Sequence, residues 1–245
     1  MRGSAIVFAM KIREKIQACL LPASCVLCAV PTQRALSLCQ ACEKELPWLK
    51  AVCMRCALPL AGTYTGDDML CGHCIQQSVP FAATTALFYY QKPIDSFITA
   101  LKFNQQLLYA RLLGELLAQR LSQRSLDTQW PDSLIPMPLH PKRLRERGFN
   151  QALEIARPIA KKFKLPLDIQ HCQRIRFTPF QSALPAAERH RNVKNAFQVS
   201  PHFKAKYVVI IDDVVTTGHT VTELAYALRR VGVERIEVWC IARTE

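Results

Sequence analysis

The apolar residues of this chain repeat with two different periods. Between Leu107 and Leu121 they recur at 108, 112, 113, 116, 117 and 121, the spacing that lines one face of a helix. A second helical stripe runs through 152, 155, 156, 159, 160 and 163, with Pro158 inside it. A proline there removes a backbone hydrogen bond, so a kink or a boundary is expected. PFAATTALFYY, from Pro80, is rich in β-branched and aromatic residues and reads as a strand, and SLIPMP (133–138) as a short buried one. SQRSLDTQWPD (122–132) is a polar connection. HPKRLRERGFNQ, from His140, reads as a basic loop, and 171–197, which has no clean period, as a long mobile one.

The final fifty residues carry the clearest pattern. Val208 to Ile211 is a continuous apolar run, suited to a parallel strand buried on both faces. Two acids follow, Asp212 and Asp213, and then a loop, Val214 to Thr220, leading into a helix. Thr220 and Glu223 have the spacing of a capping box. Apolar residues at 221, 224, 225, 228 and 231 give the helix one buried face, Gly232 ends it, and Ile236 to Ile241 returns as a strand. Strand, loop, helix, strand is the unit of an open α/β sheet, whose ligand lies beyond the carboxyl ends of the strands.

Cysteine usage separates the amino-terminal part from this pattern. Nine of the 11 cysteines precede residue 75, and eight form pairs: Cys25/Cys28, Cys39/Cys42, Cys53/Cys56 and Cys71/Cys74. Two intervening residues let both sulfurs of a pair face one metal, so four pairs make two tetrahedral Zn²⁺ sites. The metal supplies folding energy to ribbons with almost no apolar core. Sequential grouping (25/28 with 39/42, 53/56 with 71/74) and a crossed one both fit the spacing; the sequential one is favoured. His73 reads as a bystander, and Cys19, Cys172 and Cys240 as small buried side chains. A disulfide framework is disfavoured because no export signal is evident: the patch Ala5–Met10 is short and followed by Lys11, Arg13 and Lys15. No run of 18 apolar residues occurs, so no membrane span is expected and the cytoplasm is the expected compartment.

The chain has 245 residues, half of them apolar, enough for a sizeable core, and a formal net charge of +13 spread over both halves. Such a surplus favours anionic partners. The segment VVIIDDVVTTGHT gives that preference a location. Backbone amides at the helix start, Gly218, and the hydroxyls of Thr216, Thr217 and Thr220 suit a phosphate. The acids would repel one, and are suited instead to sugar hydroxyls or to a bridging Mg²⁺. A ribose 5-phosphate has both parts.

Ile210 to Gly218 resembles the phosphoribosyl pyrophosphate (PRPP) motif of type I phosphoribosyltransferases. The cysteine pairs, Leu101-Lys102-Phe103, Pro136 to Pro141, Arg147 to Gln151, Gln181, Arg189, Asn192, Ala196-Phe197 and that motif together are similar to the ComF family of competence proteins, which includes GntX-like proteins. The resemblance implies an α/β fold: an amino-terminal helix and double zinc ribbon (1–80) before a parallel-sheet phosphoribosyltransferase-like domain (81–245). It implies PRPP with Mg²⁺ held by Asp212, Asp213, Val214, Val215, Thr216, Thr217, Gly218, His219 and Thr220, with Lys142 and Arg143 on a pyrophosphate loop. It further implies a role in DNA uptake for natural transformation or in use of external DNA. Single-stranded DNA is the expected polymer, on basic segments interleaved with Phe149, Phe163, Phe177, Phe180, Phe197 and Phe203. A helicase or recombination mediator is the expected protein partner. The alternative is an active phosphoribosyltransferase with an unidentified acceptor; no catalytic residue is assigned.

Overall fold

A computed structural model describes residues 24–60, 69–125, 128–177 and 194–244. The Ala5–Met10 patch, Cys19, Phe180, Gln181, Arg189 and Asn192 lie outside them. The chain forms two compact units, Met1–Leu46 and Pro47–Glu245.

In the first unit Ser24 pairs antiparallel with Pro31, and the turn between them is closed by Cys25 N–H donating to Val30 O at 2.9 Å. A one-turn helix, α1 (Gln40–Lys44), begins at Cys39, whose sulfur accepts from Cys42 N. The second unit opens with the same construction. Val52 pairs with Pro59, Cys53 N–H donates to Leu58 O, and Cys71 precedes α2 (Gly72–Gln76). Ala29 and Ala57 take the same left-handed backbone, φ 59° and 55°. The two ribbons are thus copies of one local design. The compositional change near Pro80 and the compact boundary after Leu46 are different boundaries, because the second ribbon is bonded to the sheet edge. Thr84 N–H donates to Met54 O and its hydroxyl to Arg55 O, at 3.1 and 2.7 Å.

Strands β1 (Ala83–Tyr89), β2 (Ser133–Pro136), β5 (Tyr207–Val215) and β6 (Arg235–Arg243) form a parallel sheet in the order β1-β6-β5-β2. Helices α3 (Ile94–Asn104) and α4 (Leu107–Leu121) carry the chain from one sheet edge to the other. Helices α5 (Pro141–Arg147) and α6 (Gln151–Phe163) follow β2. A short antiparallel ribbon, β3 (Cys172–Arg174) with β4 (Phe197–Val199), precedes β5, and α7 (His219–Arg230) joins β5 to β6. Alternation along the central strands serves two cores. Val208, Ile210, Ile236, Val238 and Cys240 pack with Leu224, Ala225 and Leu228 of α7, and with Phe197 and Val199 of β4. Val209, Ile211, Trp239 and Ile241, of opposite parity, are equally buried. Helices α4 and α6 pack on each other and reach β6, β5 and β2.

Four expectations are corrected. The basic segment after His140 is a helix: Pro141 supplies a preset first turn, His140 Nδ1 accepts from Lys142 N at 3.2 Å, and Gly148 (φ 81°) ends it. Pro158 marks no boundary, since α6 runs through it to Phe163. Stretch 171–197 is a strand pair at its ends, with 178–193 outside the described residues. The Thr220–Glu223 capping box does not form: Gly218 is the cap residue, and the Glu223 carboxylate accepts from Asn195 N at 3.0 Å.

Gly114 fixes the contact of α4 with α6. A Cβ there would lie 2.4 Å from the backbone oxygen of Ile155 and 3.0 Å from Pro158 Cγ. Gly→Ala inside a helix ordinarily gains up to ~1 kcal/mol. Gly114→Ala is expected to do the reverse, because a backbone carbonyl cannot give way as a side-chain tip can. The loss is about 1–3 kcal/mol, read as a melting point lower by about 2–4 °C per kcal/mol. An unchanged or raised melting point would contradict the packing.

Candidate functional site

The acids end up deeper than their place at a strand end suggested. Strand β5 runs through Asp212, Asp213 and Val214 to Val215, leaving Thr216–Gly218 as the connection to α7. Asp212 and Asp213 are 8% and 4% exposed, whereas Thr216 and Thr217 are exposed and Gly218, His219 and Thr220 partly so. Each acid first satisfies a neighbouring amide: Asp212 Oδ1 accepts from Asp213 N and Asp213 Oδ1 from Val214 N, both at 2.9 Å. Asp213 Oδ2 then meets Lys102 Nζ, on α3, at 2.6 Å. Burial pushes the Asp212 carboxyl well above the usual carboxylate range, and the charge of Asp213 adds to this; Lys102 opposes it.

No side chain caps α7. The Gly218 carbonyl accepts from Thr222 N at 3.0 Å, which begins the helix and leaves the amides before Thr222 without a helical acceptor. Gly218 has φ 80°, a conformation that suits glycine and permits the tight turn. Exposed hydroxyls and the positive end of the helix dipole at Thr216–Thr220 are chemically suited to an anion.

Cations complete the surroundings. Arg147 and Arg174 both have their guanidinium pKa lowered, first by burial and then by the charge of Arg143, while Asp213 holds up Arg147 and Asp212 holds up Arg174. Arg147 and Arg174 therefore share the field of the two acids, and Arg143 acts on both arginines. The Arg147 side chain also donates to Gln151 Oε1. Asn150 caps α6 through Ala152 N (3.0 Å) and donates to Met137 O (3.1 Å), fixing the segment after β2. Lys142 and Arg143 lie over the ring of Phe177, 4.7 and 5.8 Å from its centre, with His140 edge-on at 5.3 Å.

Of the phenylalanines marked as platforms, Phe197 and Phe203 are core and Phe163 stacks on Trp130. Phe149 is partly exposed, and Phe177, with a third of its surface exposed, lies among cations. Lys102, Arg147, Arg174 and Arg243 were not assigned roles from the sequence. Lys102 stood out there only as part of a family pattern, since nothing in helical spacing tells that a lysine beside buried Leu101 reaches an acid over a hundred positions away.

The cysteines group sequentially. The four sulfurs of Cys25, Cys28, Cys39 and Cys42 lie within 4.8 Å of one another, as do those of Cys53, Cys56, Cys71 and Cys74. Tetrahedral zinc with Zn–S of about 2.3 Å places sulfurs about 3.8 Å apart. Cys28–Cys39 and Cys56–Cys71 measure 3.8 and 3.6 Å, and all described cysteines are free thiols. Burial would raise Cys25 and Cys53, yet backbone N–H donors, led by those of Cys39 and Cys56 respectively, bring them down to about 6 and about 7. Both sets fit zinc, which would be held by eight thiolates. His73 is not in either set. Cys172 and Cys240 are buried, with thiols pushed upward by burial. Among the described residues no helix is long and apolar enough to cross a membrane.

Comparison with known proteins finds two domain families in the chain. Residues 16–75 match the double zinc ribbon domain family, and 150–244 the phosphoribosyl transferase domain family. The DNA utilization protein YhgH of Salmonella typhimurium is 36% identical over 228 residues, covering 91% of this chain and 98% of the relative. Its namesake in Escherichia coli K12 is 34% identical over 226 residues, with the same coverage of 91% and 98%. Competence protein F of Haemophilus influenzae is 32% identical over 211 residues, covering 84% and 90%. With this identity over nearly the full length of its relatives, and a double zinc ribbon ahead of a phosphoribosyltransferase domain, the chain belongs to the ComF/GntX family.

Proposed function

We propose that the protein acts in the use of external DNA, through DNA uptake and natural transformation, and that its carboxyl-terminal domain binds PRPP or a related ribose phosphate with Mg²⁺. The observation that carries the ligand is the buried Asp212–Asp213 pair adjoining an uncapped, threonine-lined helix start. In this reading ribose hydroxyls donate to the acids and the 5-phosphate takes the amides and hydroxyls of Thr216–Thr220. Magnesium neutralises the pyrophosphate beside Arg143, Arg147 and Arg174. Lys142, over Phe177, belongs with a second surface, where a base of single-stranded DNA stacks on the ring while phosphates meet the flanking cations. The names of the relatives support the DNA role. The first ribbon, a compact unit by itself, is assigned to a protein partner such as a helicase or recombination mediator.

Calorimetry with PRPP and Mg²⁺, with and without a single-stranded oligonucleotide, tests both ligands. Phe177→Ala is expected to weaken the oligonucleotide about tenfold and leave PRPP unaffected. Oligonucleotide affinity that is constant as salt rises would remove the phosphate contacts from the account.

An active transferase is the second reading, favoured by Arg147 and Arg174, whose guanidinium groups interact with the acids. An acceptor lone pair would form a bond to the anomeric carbon as its bond to pyrophosphate breaks, the electron pair leaving with pyrophosphate. The guanidinium groups would stabilise that charge. Pyrophosphate release with some member of a panel of bases, lost in the Asp212→Asn/Asp213→Asn double variant, supports this reading. PRPP binding without release counts against it.

A further inference from the structure

Arg243 is the last residue of β6 and lies opposite Val215 in the register. It is only 6% exposed, and among the described residues it forms no ion pair. Its guanidinium instead donates to four backbone carbonyls. Nε reaches Cys56 O at 3.1 Å; Nη1 reaches Val215 O at 3.1 Å, Thr244 O at 3.0 Å and Thr216 O. Burying a cation against neutral carbonyls is costly, and a structural role at a strand end seldom requires it. The planar fork does something that a smaller donor cannot: it holds two separate segments at once in a fixed relation.

Those segments are the second ribbon and the anion loop. Cys56 is one of four sulfurs converging in the ribbon, so its backbone position depends on closure of that knuckle. Thr216 is the first exposed residue of the loop. Both segments and Arg243 border a cavity of about 660 Å³, lined also by Cys71, His73, Thr217 and His219. Arg243 donates directly to both segments, to Cys56 O in the ribbon and to Thr216 O in the loop.

We infer that Arg243 is a positioning residue that couples metal occupancy of Cys53, Cys56, Cys71 and Cys74 to the conformation of Thr216–Thr220. Metal in the second ribbon thereby raises affinity for the phosphate group of the ligand. This rests on the PRPP reading for the identity of the ligand, though not for the movement of the loop. Coupling of this kind is reciprocal: bound PRPP retains zinc.

The test is a double-variant cycle in the full chain. Cys71→Ser empties the second site without altering any partner of Arg243, and Arg243→Met removes the fork. Two quantities are measured: amide hydrogen exchange at residues 216–220, and PRPP affinity with Mg²⁺ by calorimetry. Cys71→Ser alone is expected to speed loop exchange and weaken PRPP about tenfold. In the Arg243→Met background, where the loop is already loosened, the same change is expected to alter either quantity less than twofold. Arg243→Lys, with the charge but not the fork, is expected to behave like Arg243→Met. Should Cys71→Ser fail to fold, stepwise chelation of the wild-type and Arg243→Met proteins, with zinc release and loop exchange followed together, gives the same comparison. Equal effects of zinc loss with and without Arg243, or none in either, overturn the proposal. If PRPP does not bind the zinc-loaded wild type, the functional reading fails while loop exchange still decides the coupling.

Discussion

Cys53→Ser is expected to halve the zinc content, from two ions per chain to one, and to melt the second ribbon. The apolar centre of that ribbon consists of the ligands themselves, Cys53, Cys71 and Cys74, with Cys56, Leu58, Leu60 and Leu70 against them. Such a core supplies little burial energy, whereas a structural zinc contributes on the order of 10–16 kcal/mol at neutral pH. A hydroxyl in place of a fully buried thiolate is too weak a ligand to keep that contribution. Because the ribbon is bonded to β1 and to Arg243, its loss is expected to lower the melting temperature of the larger unit as well. Cys28→Ser, in the other compact unit, is expected to release one zinc ion and leave that transition in place. Metal analysis with calorimetric melting checks both. Two retained zinc ions in Cys53→Ser would contradict the assignment of the four ligands.

Asp212→Asn is expected to make the protein more stable and unable to bind PRPP. The folded state raises the Asp212 pKa, through burial first and the charge of Asp213 second, while the unfolded chain leaves it near 3.9. The folded protein therefore holds this proton more tightly. Ionisation costs stability as the pH climbs from the unfolded value through the folded one. Asparagine carries no such cost, so the two proteins should melt alike, as far as this residue is concerned, below about pH 4. The variant should gain steadily above that, by about 2–4 °C for each kcal/mol. Binding runs the other way: hydroxyls donate to a carboxylate, so wild-type PRPP affinity should rise with pH over the same window and that of Asp212→Asn should stay low. A variant with lower melting temperature at neutral pH, or with unimpaired PRPP affinity, would show that Asp212 is not a strained ligand group.

Periodicity made the central elements readable because their residues answer to one partner each. The stripe at 107–121 and the run at 208–211 follow from burial on one helix face and on two strand faces; the structure keeps the run, and the stripe except for Leu108, which is exposed. The zinc ligands were readable for the same reason, since four sulfurs and one ion set their own spacing. The basic segment after His140 was misread because its helix buries nothing: α5 has no buried residue, so it leaves no apolar period, and only Pro141 and Gly148 mark its ends. The cations around the acids were hidden by distance. Lys102, Arg147 and Arg174 come from three elements that only the sheet order brings together. Glu223 had the spacing of a cap, but Asn195, in the turn before β4, took its carboxylate. Local patterns are overruled where a distant donor reaches the side chain first.

The order β1-β6-β5-β2 has a consequence for how this molecule comes into being. Both edges of the sheet are synthesised before either central strand; Trp48 bridges Phe88 and Leu167 bridges Leu134 on the outer sides, but the inner side of each edge waits for Tyr207–Arg243. At about 5–20 residues per second, β1 waits on the order of ten seconds for β5 and β6. During that interval the inner side of β1 is open to other nascent chains. The cysteine ribbons, already complete, can close on metal at once, and the second is bonded to Thr84 at the start of β1. Metal supply during translation, and not only in the finished protein, would then set how much of the chain escapes aggregation.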